Sequence, residues 1–135
     1  MRRLHLTEIT WVWPRIDAAA RKALEGADWV GEDVLEMCRR RQALCFSCDE
    51  GVVVAELAAN HHRHSEFELI ILLAVSTGPH GVVDRYLPEI EEIARELGAV
   101  RIVFWTHRRG WDRHLPPGFK LRRVEYALEV PKDGR

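Results

Sequence analysis

Between Phe67 and Gly98 the chain carries residue types that could hold a charged ligand. The apolar run FELIILLAV (Phe67–Val75) leads into a loop, STGPHG (Ser76–Gly81). Val82, Val83, Tyr86, Leu87, Ile90, Ile93, Ala94 and Leu97 then recur at helical spacing, and Gly98 stops the run. A strand, a glycine loop and a helix in that order make a candidate anion site, because backbone N–H groups and the positive end of the helix dipole converge there. Gly78, His80 and Gly81 are the candidate contacts, and a phosphate group is the ligand such a turn suits.

Other groupings point to simpler chemistry. His61, His62 and His64 share one loop with Arg63. Neighbouring imidazoles in a turn converge on a metal only with a carboxylate or thiolate from elsewhere, so they read as solvated side chains and no metal is expected. Cys45 and Cys48 have CxxC spacing but fall on a strand and its edge, without the helix N-terminus that lowers a redox thiol's pKa. They read as small hydrophobes. Arg39–Arg41, Arg108–Arg109 and Arg122–Arg123 read mainly as separate solvated faces. Arg108 and Arg109, with Trp111 beside them, are the candidate protein interface, since arginine and aromatic residues are enriched there.

Elements of ordinary type must position these groups. The length, 135 residues with 47% hydrophobic, suits one domain, 1–135, with a real core. Twenty basic residues against 21 acidic give a net charge of −1, which does not mark a nucleic-acid binder. No run reaches the roughly 18 apolar residues of a membrane span, and Met1–Leu6 does not open a signal peptide. Three cysteines, Cys38, Cys45 and Cys48, cannot all pair within one chain, which points to a reduced, cytosolic setting.

Pro14 suits the first turn of a helix over Ile16–Gly26, and Gly31–Arg41 reads as a second helix with acids first and arginines last. Ala43–Cys48, the turn Asp49–Gly51 and Val52–Ala59 form a hairpin. Residues 66–75 are a strand, and Val100–Trp105 is the next one after the helix. Phe119–Val130 alternates as a last strand, while Met1–Arg3 and Pro131–Arg135 read as unstructured ends. Pro88 requires either a helix start near Asp84 or a bend in a helix that begins at Gly81. The expected class is α/β: a mixed sheet with helices on both faces, in the order ααβββαβ(α)β.

With Trp11 and Trp13, the hairpin, the helix ending Ile93–Gly98, Arg109-Gly110-Trp111 and Gly118-Phe119 in place, the chain resembles the GNAT superfamily of acetyl-CoA-dependent N-acyltransferases. More narrowly, it looks like small phage-encoded GNAT-like proteins. The resemblance implies a coenzyme loop of the form Gln/Arg-x-x-Gly-x-Gly/Ala. With Gly81 as the last glycine, Pro79 and Ser76 occupy the other positions. With Gly78 as the first, Val75 and His80 do. Neither register restores the motif, and the first sets a proline without an N–H where a phosphate would need one. The resemblance also implies a general acid four residues before Gly118, which is His114, and a strand glutamate as base. Glu56, Glu66 and Glu68 are available for that role. Glu68 is preferred because its core-facing neighbours would bury it and raise its pKa.

The expectation that follows is a phage-type GNAT-fold protein without a cofactor. Its partners would be protein subunits, including those of a phage particle, in the host cytoplasm or in the virion. The alternative is a working acetyl-CoA-dependent N-acyltransferase with Glu68 as base and His114 as acid.

Overall fold

The computed structural model describes residues 1–24, 31–49, 51–76, 81–104, 115–123 and 125–131. In chain order its elements are β1 (Arg2–Arg3), α1 (Leu6–Ala23), α2 (Gly31–Arg39), β2 (Leu44–Cys48), β3 (Gly51–Ala59), β4 (Phe67–Ser76), α3 (Val82–Glu96) and β5 (Ala99–Phe104). The strands lie in the order β1-β2-β3-β4-β5. Every neighbouring pair is antiparallel except β4 and β5, which α3 connects and which run parallel. Helices cover both faces of this mixed sheet, as expected from the pattern of elements.

Two cores result. On one face, Ile9, Trp13, Ile16 and Ala20 of α1 and Val34 and Cys38 of α2 pack on Val52, Val54, Ile70 and Leu72. On the other, Val82, Ile90 and Ala94 of α3 pack on Val53, Ala55, Leu69 and Ile71. A bulge in β4 adjusts the fit. Val54 pairs with Leu73 and Ala55 with Ile71, so Leu72 has no partner of its own on β3. The extra residue reverses the alternation, and Leu72 and Leu73 both join the core under α1 and α2. A strand with both faces covered must read as continuously apolar, which is why FELIILLAV was legible.

Helix α1 starts at Leu6, eight residues before Pro14, and holds in its interior the proline expected in its first turn. Its start is fixed by Glu8, whose Oε1 accepts the His5 N–H at 3.1 Å. An interior proline costs about 3 kcal/mol. Burying Ile9 and Trp13, which the early start makes possible, returns roughly 1.5–3 kcal/mol each, so packing decides. Trp13 also lies against Gly31 at the start of α2, where an added Cβ would come within 3.5 Å of the indole. Pro88 is likewise inside its helix. Of the two alternatives the structure takes the bend: α3 begins at Val82, just past Gly81, and kinks at Tyr86, whose φ is −106° and ψ 16°.

Three further differences from the sequence reading concern chain ends and stops. Arg2 and Arg3 form a short edge strand on β2 instead of a loose end. Helix α2 ends at Arg39, and Arg41 takes a positive φ of 60° in the position glycine usually fills, with the Gln42 N–H returning to Met37 O at 2.8 Å. Residues 119–123 and 125–130, the described part of the expected last strand, belong to no strand or helix. Their side chains have found no sheet edge: Leu121, Tyr126, Leu128 and Val130 are 85–93% exposed.

Gly51 opens β3 against β4, where a Cβ would lie 1.9 Å from the Val75 carbonyl oxygen. Gly51→Ala must therefore push two central strands apart, and urea denaturation should show a loss of about 3 kcal/mol. Gly98, with a φ of 81° but nothing within 4 Å of an added Cβ, should cost only about 1 kcal/mol as alanine.

Candidate functional site

The densest polar arrangement forms where β4 enters the sheet. Glu68, 7% exposed, lies beside Ala58 of β3 and Arg101 of β5. Its Oε2 accepts hydrogen bonds from Arg122 Nη1 at 2.6 Å, Arg101 Nη1 at 2.9 Å and Asn60 Nδ2 at 3.2 Å. Arg101 Nη1 also reaches Glu66 Oε2 at 3.2 Å, and Arg63 pairs with the other oxygen of Glu66 at 3.4 Å. Asn60 links this cluster to the histidine loop: its Oδ1 accepts the N–H groups of His62 and Arg63, both at 2.9 Å. The loop is shaped by this turn, and His64 Nε2 contacts the His61 carbonyl at 3.0 Å.

Burial raises the proton affinity of Glu68, as expected from its apolar neighbours. The hydrogen bonds from Arg101, Arg122 and Asn60 outweigh that effect and hold its carboxyl below the ordinary range. A carboxylate bound to two guanidiniums is a poor proton acceptor. It is well suited to tie β4, β5 and the C-terminal segment together.

Glu56 behaves in the opposite way. It lies on β3 opposite Ile70, on the sheet face of Glu68, and is half-buried. Burial pushes its carboxyl above the ordinary range. The signal in the sequence was its setting, VVVAELAA, as apolar as that of Glu68. What distinguishes the two is which cations reach each one.

At the other end of β4 the structure describes Ser76 and Gly81 of the glycine loop. Gly81 caps α3, and Ser76 Oγ accepts the Val82 N–H at 2.9 Å. That donor is one of the unpaired N–H groups a helix start would offer an anion. Asp84 in the first turn sets a negative charge beside it. The described part of the turn is thus a weaker phosphate cradle than an open helix start. Gly78, His80, Arg108, Arg109, Trp111 and His114, all singled out above, lie outside the described residues.

Other expected features have definite places. Cys38 and Cys45 are buried in the core under α1, where burial pushes their thiols up to about 11 and about 12, so neither is a reactive thiolate at neutral pH. Trp13 is core, whereas Trp11, two positions earlier and so on the opposite side of α1, is 81% exposed. No described helix is long and apolar enough to cross a membrane.

No family model matches the chain, and no curated protein matches its sequence. Solved structures do resemble it along nearly its whole length. It is similar to a probable acetyltransferase at 17% identity, covering 98% of this chain and 100% of that one with a TM-score of 0.63. An aminoglycoside acetyltransferase from an uncultured soil metagenomic sample is 14% identical over 96% and 95% of the two chains, with a TM-score of 0.62. Ribosomal-protein-alanine N-acetyltransferase from Brucella melitensis biovar Abortus 2308 is 14% identical over 94% and 96%, also at 0.62. At such identities the likeness is one of fold, and it defines the class: this chain has the GNAT acetyltransferase fold.

Because the folded pKa of Glu68 lies below its ordinary value near 4.5, its ion pairs stabilise the protein above that pH. The contribution is lost as the pH falls through the lower, folded value. Glu68→Gln should therefore lower stability at pH 7 by about 1.5–3 kcal/mol, the range for charged hydrogen bonds, and flatten the acid limb of stability against pH. Denaturant titrations at pH 7 and pH 3 read both effects, and an unchanged acid limb would refute the account.

Proposed function

We propose that this protein is an acetyl-CoA-dependent N-acyltransferase whose proton-accepting carboxylate is Glu56 in place of the expected Glu68. The observation that carries the reading is the correspondence of fold, end to end, with several acetyltransferases of the same length. When bound, acetyl-CoA would supply an acetyl thioester, with its diphosphate toward Gly78, His80 and Gly81. Glu56 takes the proton an acceptor ammonium must lose before its nitrogen can attack. A carboxyl raised by burial suits this better than one held down by two arginines. His114 keeps the role of acid toward the leaving thiolate that the resemblance implies. Glu68 is a positioning residue that holds Arg101, and through it β5, in register with β4.

A second reading, a binding protein that has kept the fold without the chemistry, is favoured by the Ser76 bond to the Val82 N–H and by Asp84. The assembly role in a phage particle belongs to this reading. Isothermal titration calorimetry with acetyl-CoA separates the two. Micromolar binding is expected of the acyltransferase, whereas no heat at roughly 1 mM coenzyme, about 4 kcal/mol of affinity, would leave the binding protein. If the coenzyme binds, thiol release with a panel of primary amines reads the transfer. Glu56→Gln should then lower kcat by about 10²-fold or more with acetyl-CoA affinity unchanged. An equal loss in both parameters would remove Glu56 from the chemistry.

A further inference from the structure

The guanidiniums of Arg101 and Arg122 have more to offer than the neutralisation of Glu68. Each makes its described contacts through Nη1 alone, to Glu68 and, for Arg101, also to Glu66. A guanidinium has five N–H donors, and no other described residue accepts from either fork. Both side chains also keep a solvent-facing surface, at 40% and 38% exposure. Charge is out of balance as well. Arg63, Arg101 and Arg122 bring three positive charges against the two negative charges of Glu66 and Glu68. The cluster is thus one carboxylate short among the described residues, and two guanidiniums that already meet on one oxygen can share another.

Glu56 lies on the same sheet face. It stands two residues before Ala58, which pairs with Glu68, so the two glutamates are diagonal neighbours roughly 7–8 Å apart. The other corners of this patch are Ile70, which is buried, and Ala58, which is half-buried and too small to fill the space above it. One end of the patch therefore suits an ammonium and the other a carboxylate. Resting on the acyltransferase reading, we infer that the acceptor is a zwitterion of dipeptide length, with its amine at Glu56 and its carboxylate on Arg101 and Arg122. Its backbone lies over Ala58. Two extended residues span about 7 Å, the length of the patch, whereas a single α-amino acid covers about half of it. Glu68 holds the two guanidiniums in place for this contact.

Isothermal titration calorimetry on the full chain, with and without coenzyme A, tests the inference with glycylglycine, glycylglycinamide and glycine. Glycylglycine should bind at least tenfold more tightly than the amide, which lacks the negative charge, and than glycine, which cannot reach both ends. Arg122→Gln should erase the preference for the free carboxylate. Ala58→Leu removes no charge and fills the space over the patch. It should weaken glycylglycine at least tenfold, with circular dichroism and acetyl-CoA affinity unchanged. Equal affinity for glycylglycine and its amide, or no heat from any probe at about 10 mM, overturns the inference and leaves the arginines as a structural tie. A chain that binds acetyl-CoA but not glycylglycine loses this acceptor and keeps acyl transfer. One that binds glycylglycine but no coenzyme keeps the zwitterion site and loses acyl transfer.

Discussion

Strand β4 has to serve two cores at once, and that requirement organises the rest of the molecule. Its residues meet α1 and α2 on one face and α3 on the other, so almost no position between Glu68 and Val75 can be polar. The two faces need different numbers of side chains, and the unpaired Leu72 supplies the difference by turning Leu72 and Leu73 the same way. Beyond this bulge β4 continues to Ser76, and the described register with β5 pairs Phe67 with Ala99 through Ile71 with Phe104. At the end of β4, Ser76 meets the N-terminus of α3 and accepts its first N–H.

Glu68 is the one acidic residue this arrangement admits, and it is admitted because it is neutralised. A carboxylate placed there without partners would be protonated or would destabilise the strand by several kcal/mol. Arg101 and Arg122, both partly solvated, supply the charge without being fully desolvated themselves, so the pairs gain more than an exposed bridge and avoid most of the cost of a buried one. At Glu56 burial raises the carboxyl, with no offsetting cation among the described residues. One sheet face thus carries two carboxylates whose proton affinities move in opposite directions, the condition under which one can bind structure and the other can move a proton.

The helices show the same competition between local rule and packing. Pro14 and Pro88 each break a helix-interior rule worth about 3 kcal/mol, and each is retained because the apolar stripe extends past it on both sides. In α3 the strain emerges as a kink at Tyr86. In α1 the stripe Ile9, Trp13, Ile16 and Ala20 spans the proline, and a reading that ranks the proline above the stripe starts the helix about two turns late.

By itself the sequence determined the class of fold, the hairpin, β4, α3 and the stop at Gly98, because each depends on periodicity or on a turn residue within about a dozen positions. It also placed Glu56 and Glu68 in similarly apolar settings, and the preference for Glu68 as base counted burial without the cations that reach it. What separates the two belongs to the tertiary structure, which brings Arg101 from 33 residues away and Arg122 from 54 onto the same oxygen. The same holds for the segment after Phe119: its alternation is written in the residues, but a strand exists only when an edge meets it, and backbone hydrogen bonding between distant segments is not a property any local stretch can encode.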